Sequence, residues 1–203
     1  MFFRRCLGAT LAVSLAVAGQ LGAYQRHSKQ EGDRFQAKLQ RIVVFGNTPA
    51  APGRKANQTT QFSDDELNSY LRFHARDQIP AGIVDPTLNA LGDGRVGGRV
   101  IVDLDAVRKQ KQRGWLDPMG YLAGRLPVTA TGTLTTKEGV GRFELQSAEV
   151  SGISVPKTLI QELLTHYSRS PENPTGINMD DPFELPSRIR EIQVGKAQST
   201  IVQ

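Results

Sequence analysis

Ser154 and Lys157 stand at the S-x-x-K spacing, where a lysine can take the proton of a serine hydroxyl and prepare it for acyl transfer. The S-D-N and K-T-G elements that complete such a site are absent, and Pro156 would place Ser154 ahead of a helix instead of on it. Gly92-Asp93-Gly94-Arg95-Val96-Gly97 spells G-x-G-x-x-G, but a phosphate-binding loop must run into a helix N-terminus. Here a β-branched run follows, so the glycines read as a hairpin turn. His27, His74 and His166 are the three histidines, and none has a second histidine three or four positions away. Asp64, Asp65 and Glu66 form a carboxylate group, yet helix capping accounts for all three. No catalytic set, metal centre or cofactor site is expected, and the chain is taken as non-enzymatic.

Two other kinds of chemistry remain. Arg108, Lys109, Lys111 and Arg113, followed by Trp115, form the densest basic run, suited to anionic headgroups with the indole at the interface. The alternative is a solvated connection with Trp115 packed inward. Aromatic residues are 6% of the chain and do not alternate with Lys and Arg, which speaks against a nucleic-acid platform. Asn57-Gln58-Thr59 is a formal glycosylation sequon.

The N-terminus narrows the field further. Arg4 and Arg5 precede an apolar run from Cys6 to Ala18, and Ala16-Val17-Ala18 gives the small-x-small pattern of a signal-peptidase site. The chain is therefore expected to be exported, to a periplasmic or other extracytoplasmic location. The uninterrupted apolar run is shorter than the roughly 20 residues that span a bilayer. Cleavage and retention as a signal-anchor both stay open. The only cysteine, Cys6, stands at the very start of the apolar run, where no lipobox precedes it, and a single cysteine can form no intramolecular disulfide. The formal charge of +5 loses two units with Arg4 and Arg5, leaving a mildly basic exported part.

The elements that must position any site follow from periodicity. Residues 1–23 read as the signal or anchor and 24–61 as a polar spacer, with part of 24–40 open to a helix, and an irregular connection. Within that stretch Arg41-Ile42-Val43-Val44-Phe45 reads as a short strand. Residues 62–203 read as one domain. Ser63 and Glu66 make a capping box, with Phe62 and Leu67 as a hydrophobic staple, opening a helix expected to end near Asp77. From Gly82 the period becomes two. Hairpins are expected over 83–104, 126–151 and 189–202, turning at Gly92-Asp93-Gly94, Lys137-Glu138-Gly139 and Gly195-Lys196. In the first, Val96, Val100, Val102 and Leu104 share a face. In the second, Leu126, Val128, Ala130 and Leu134 oppose Thr129, Thr131, Thr133 and Thr135. Residues 105–115 read as a helical connection, with a short helix from Asp117. Pro156 begins an amphipathic helix carrying Leu159, Ile160, Leu163, Leu164 and Tyr167, and 170–182 reads as a loop. The fold class is α+β, a curved antiparallel β-meander packed on a few amphipathic helices.

Phe62 to Leu71, Val150 to Ile153 running through Pro156 into Leu159–Leu164, and Pro182 to Pro186 before Ile189–Ile192 together resemble bacterial envelope proteins of the tubular lipid-binding superfamily. The lipomannan-elongation type belongs to that group. The resemblance implies a curved sheet around a helix, an apolar groove for acyl chains, and lipid binding or transfer at a membrane surface without catalysis. Leu67, Leu71, Val100, Val102, Val128, Leu134, Phe143, Leu145, Leu159 and Leu163 would then line the groove. The expected partner is lipid or a membrane surface, with other envelope proteins as further partners and no nucleic acid. The alternative function is an envelope scaffold with a filled core, binding proteins through loops such as 46–61 or 170–181.

Overall fold

Three tight turns, each an X-Gly pair with both residues at positive φ, organise most of the chain. They are Asp93-Gly94 (53° and 76°), Glu138-Gly139 (52° and 86°) and Ser151-Gly152 (52° and 79°). This is the turn whose twist matches that of the flanking strands, and glycine enters it without steric cost. A computed structural model describes residues 27–49, 57–110, 124–169, 171 and 173–203. In it the turns link β2 (Ile83–Gly92) to β3 (Arg95–Asp103), β4 (Arg125–Lys137) to β5 (Val140–Val150), and β5 to the short β6 (Ile153–Ser154). The result is an antiparallel sheet in the order β2-β3-β4-β5-β6, with β7 (Phe183–Glu184) also paired to β5. A second sheet, in the order β1-β9-β8, joins β1 (Thr59–Ser63) to the closing hairpin of β8 (Glu191–Val194) and β9 (Gln198–Val202). The fold is α+β, as the periodicity indicates.

The helices are α1 (Lys29–Asn47), α2 (Asp64–Phe73), α3 (Leu104–Gln110) and α4 (Lys157–Ser168). Among the described residues no helix is long and apolar enough to cross a membrane. The N-terminal apolar segment lies outside the described residues, as do the expected helix from Asp117 and the end of the 105–115 connection.

α1 corrects the sequence analysis. Residues 29–47, read as a spacer helical at most in part and then a strand over Arg41–Phe45, form one continuous helix. Ser28 caps it by accepting the Glu31 N–H at 3.2 Å. Phe35, Leu39 and Ile42 keep helical spacing, and burying that stripe outweighs the low helix propensity of the β-branched run. Phe35 is 5% exposed and meets the Phe62 ring edge-on at 5.0 Å. Ile42 joins Ile189 and Ile201 in a core that Phe62, Leu185 and Ile192 extend. Two smaller differences concern helix ends. α2 stops at Phe73, with a 3₁₀ turn over Arg76–Gln78, and Leu104 opens α3 instead of prolonging β3.

α1 and α2 approach closely where Gly32 faces Ser69. A Cβ on Gly32 would stand 3.1 Å from the Ser69 carbonyl oxygen and 3.0 Å from His74 Cδ2. Ser69 is fully buried, and its hydroxyl accepts the Ser28 N–H at 3.2 Å. Lys38 of α1 reaches the Glu66 carboxylate at 2.7 Å, and Asp33 stands 2.8 Å from His74 Nε2.

If α1 is part of the core, Ile42→Ala should lower unfolding stability by about 2–5 kcal/mol in urea denaturation. Val44→Ala, at a position 65% exposed, should change it by less than about 0.5 kcal/mol. Equal effects at the two positions would refute that role.

Candidate functional site

The strand register assembles one apolar face. Val100 pairs with Val128, Val102 with Leu126, and Val96 with Gly132 across β3 and β4. Across β4 and β5, Leu134 pairs with Phe143, Gly132 with Leu145, Ala130 with Ala148 and Val128 with Val150. Ile83 and Ala90 of β2 extend the face through their partners Val102 and Val96. The register shift beside Gly132 leaves Gln146 as an extra residue, which keeps Leu145 and Phe143 on the apolar side. The Phe143 ring then lies over Gly132, leaving no room there for a Cβ. Six of the residues expected to line a groove therefore share one surface: Val100, Val102, Val128, Leu134, Phe143 and Leu145.

This face is incompletely covered. Ala90 and Ala148 are its only buried apolar side chains among the described residues, whereas all six groove candidates are half-buried. Leu67, Leu71 and Leu163 are half-buried on α2 and α4, and Leu159 is exposed. The small sheet crosses one end of the face, where Thr136 Oγ1 accepts the Ile192 N–H at 2.7 Å and donates to the Ile192 carbonyl at 3.0 Å.

α2 lies along the free edge of β2. Its first residue, Asp64, and Asn68 one turn later point to the same side. Asn68 Nδ2 donates to the Leu88 carbonyl and Asn68 Oδ1 accepts the Leu88 N–H, both at 2.8 Å. Asp64 Oδ2 accepts the Ala90 N–H at 2.9 Å. The capping box that starts α2 is present, with Ser63 Oγ accepting the Glu66 N–H and the Glu66 carboxylate accepting the Ser63 N–H. Capping explains Glu66, then, but Asp64 also closes a strand edge, a role the sequence analysis missed.

Between α2, the 3₁₀ turn and the beginning of β2 lies an open cleft of about 980 Å³. Leu71, Ile79 and Ile83 supply apolar wall, and Ile83 makes it continuous with the apolar face of the sheet. A bulge at Asp85 and Pro86, between the Val84 and Thr87 pairings, bends β2 here.

Of the membrane-surface candidates, Arg108 and Lys109 belong to the last turn of α3. Their side chains, and Lys111, Arg113 and Trp115 entirely, lie outside the described residues. Ser154 ends β6, and Lys157 donates instead to Asp180 at 2.6 Å. Asp103 caps α3 through the Ala106 N–H and pairs with Arg125 at 3.0 Å. These two contacts hold its carboxyl below the ordinary 3.8.

No family model matches the chain, and no characterised protein matches it in sequence. Among solved structures it is similar to a crystal structure of a lipopolysaccharide binding protein, at 15% identity. The match covers 77% of this chain and 45% of that one, so this chain spans less than half of that protein's length. The TM-score is 0.23, a superposition too loose to bear on fold or ligand.

Asn68→Ala would strip the Leu88 N–H and carbonyl of their partners and should destabilise by about 1–3 kcal/mol in urea denaturation. No loss would mean the β2 edge is satisfied without α2. Burial lifts the Asp64 carboxyl above 3.8 against the Ala90 N–H, which favours its charge, and Asp65 adds to the rise. A raised carboxyl favours folding at a pH below 3.8, and that contribution is lost as pH rises through the folded value. Asp64→Asn keeps an acceptor for Ala90 and cannot titrate. The wild type should therefore be more stable, relative to this variant, at about pH 3.5 than at about pH 7. An unchanged difference would refute the assignment.

Proposed function

We propose that this is an exported or membrane-tethered lipid-binding protein of the cell envelope, which holds or transfers acyl chains without catalysis. The observation that carries the reading is the half-covered apolar face of the large sheet. A row of Val, Leu and Phe side chains aligned by register is left partly in water, and half-buried as they are each would gain roughly half of the 1.5–3 kcal/mol that burial from full exposure gives. An acyl chain laid along Val100, Val128, Leu134 and Phe143 would complete that burial. The opposite face carries Thr129, Thr131, Thr133 and Thr135 and needs no cover. Export rests on Arg4, Arg5, the apolar run after them and Ala16-Val17-Ala18.

Native mass spectrometry of protein purified from membranes without detergent exchange tests the reading. Wild type should carry phospholipid-sized adducts. Val128→Glu, which puts a charge on the apolar face, should lower them about tenfold, whereas Thr129→Glu on the hydroxyl face should leave them in place. Matching far-UV circular dichroism excludes misfolding as the cause. Lipid-free wild-type protein would overturn the proposal and favour the scaffold with a filled core.

A further inference from the structure

The cleft between α2 and β2 has a chemistry that the apolar face lacks. Arg72 and Arg76, four residues apart, stand at its rim, and Arg76 Nε donates to the Arg72 carbonyl at 2.7 Å. That bond leaves the two terminal nitrogens of Arg76 as donors. Asp77 and Asp85 line the same cleft. Among the described residues none of these four side chains is ion-paired, so two guanidinium groups and two carboxylates face one space with neither sign cancelled.

His27 lines the cleft as well. Asp85 holds a φ of 46° in the bulge of β2.

We infer that the cleft receives a phosphoethanolamine group, the phosphate between Arg72 and Arg76 and the primary ammonium between Asp77 and Asp85. A ligand with a single charge would meet repulsion from one of the two pairs, and one carrying both signs satisfies both. Guanidinium groups suit phosphate through paired N–H donors, and carboxylates need N–H donors that a quaternary ammonium lacks. Ile83, shared by cleft and apolar face, would lead the attached chains onto the sheet. The inference rests on the lipid-binding reading and deepens it by naming the headgroup.

The test offers the protein vesicles with equal parts of phosphatidylcholine, phosphatidylethanolamine and phosphatidylglycerol, then analyses the bound lipid by mass spectrometry. Wild type should enrich the ethanolamine lipid about threefold over the vesicle. The double variant Asp77→Asn with Asp85→Asn should keep its total lipid and lose that enrichment. Arg72→Gln with Arg76→Gln should lower all three lipids. Bound lipid that mirrors the vesicle overturns the headgroup inference and leaves lipid binding standing. The second arm adds soluble glycerophosphoethanolamine and follows the His27 imidazole signal by NMR, assigned with His27→Gln. A shift in protein that takes up no lipid keeps the headgroup site and overturns the lipid reading, whereas no uptake and no shift overturns both.

Discussion

The contact on which the rest of the molecule depends is the closure of the β2 edge by α2. An edge strand presents N–H and carbonyl groups that must be bonded by water, by another chain or by the protein itself. Asn68 supplies a donor and an acceptor to the same residue, Leu88, much as a neighbouring strand would, and Asp64 takes the Ala90 N–H. The closing hairpin completes the edge, with the Ala197 N–H donating to the Ala90 carbonyl and the Asp64 N–H to the Ala197 carbonyl. Asp64 therefore touches the helix, the large sheet and the small sheet at once. Because Ser63 fixes where α2 starts, the capping box also sets which side chains reach the edge. α1 in turn is seated on α2 through Ser69, His74 and Glu66.

That arrangement places α2 at the margin of the large sheet instead of across its centre. Strands β2 to β6 pair mainly through local turns, so the sheet can form its hydrogen bonds without help from the helices. Cover for its apolar face must come from elements outside the hairpins: those before and after the sheet in the chain, and the 104–124 connection that carries α3. The small sheet takes one end through Thr136 and Ile192, and α1 spends its apolar stripe on Ile201 of that same small sheet and on Ile189 just ahead of β8. The edge contact that stabilises β2 and the incomplete cover of Val100 and Val128 are thus two consequences of one placement.

Hairpins were legible in the sequence because their signals are local: X-Gly turns between runs of period two, with hydroxyls opposing aliphatics on β4. The capping box at Ser63 was legible for the same reason. α1 was not, because Ile42, Val43, Val44 and Phe45 favour a strand over a short window, and only the longer spacing from Phe35 through Leu39 reveals the helix. Ser28 and Glu31, an S-x-x-E pair ahead of that stripe, were the available signal. Six residues of the apolar face could be named in advance because alternation decides which side a residue takes. The edge-closing role of Asp64 and Asn68 could not, since it depends on which strand ends up at the margin. The charged cleft was hidden in the same way, assembled from a chain turn before α1, the end of α2 and a bulge in β2.

Folding α1 into the domain also alters what the N-terminal segment can do. With 29–47 as spacer, a retained segment would tether a domain that roams far from the bilayer. His27, however, already lines the cleft, and Ser28 is bonded to Ser69 of α2. From Tyr24 to His27 the chain can reach at most about 11 Å. In a protein that kept the segment in the membrane, the cleft would be held at the headgroup layer, with Arg72 and Arg76 within reach of lipid phosphates. Ile83 and the apolar face would lead away from that surface. In a cleaved protein the same cleft would have to find the bilayer by diffusion, and its balanced charges would give little electrostatic steering toward an anionic surface. On the proposed function, a cleft of balanced charge would suit collecting lipid at short range over capture at a distance.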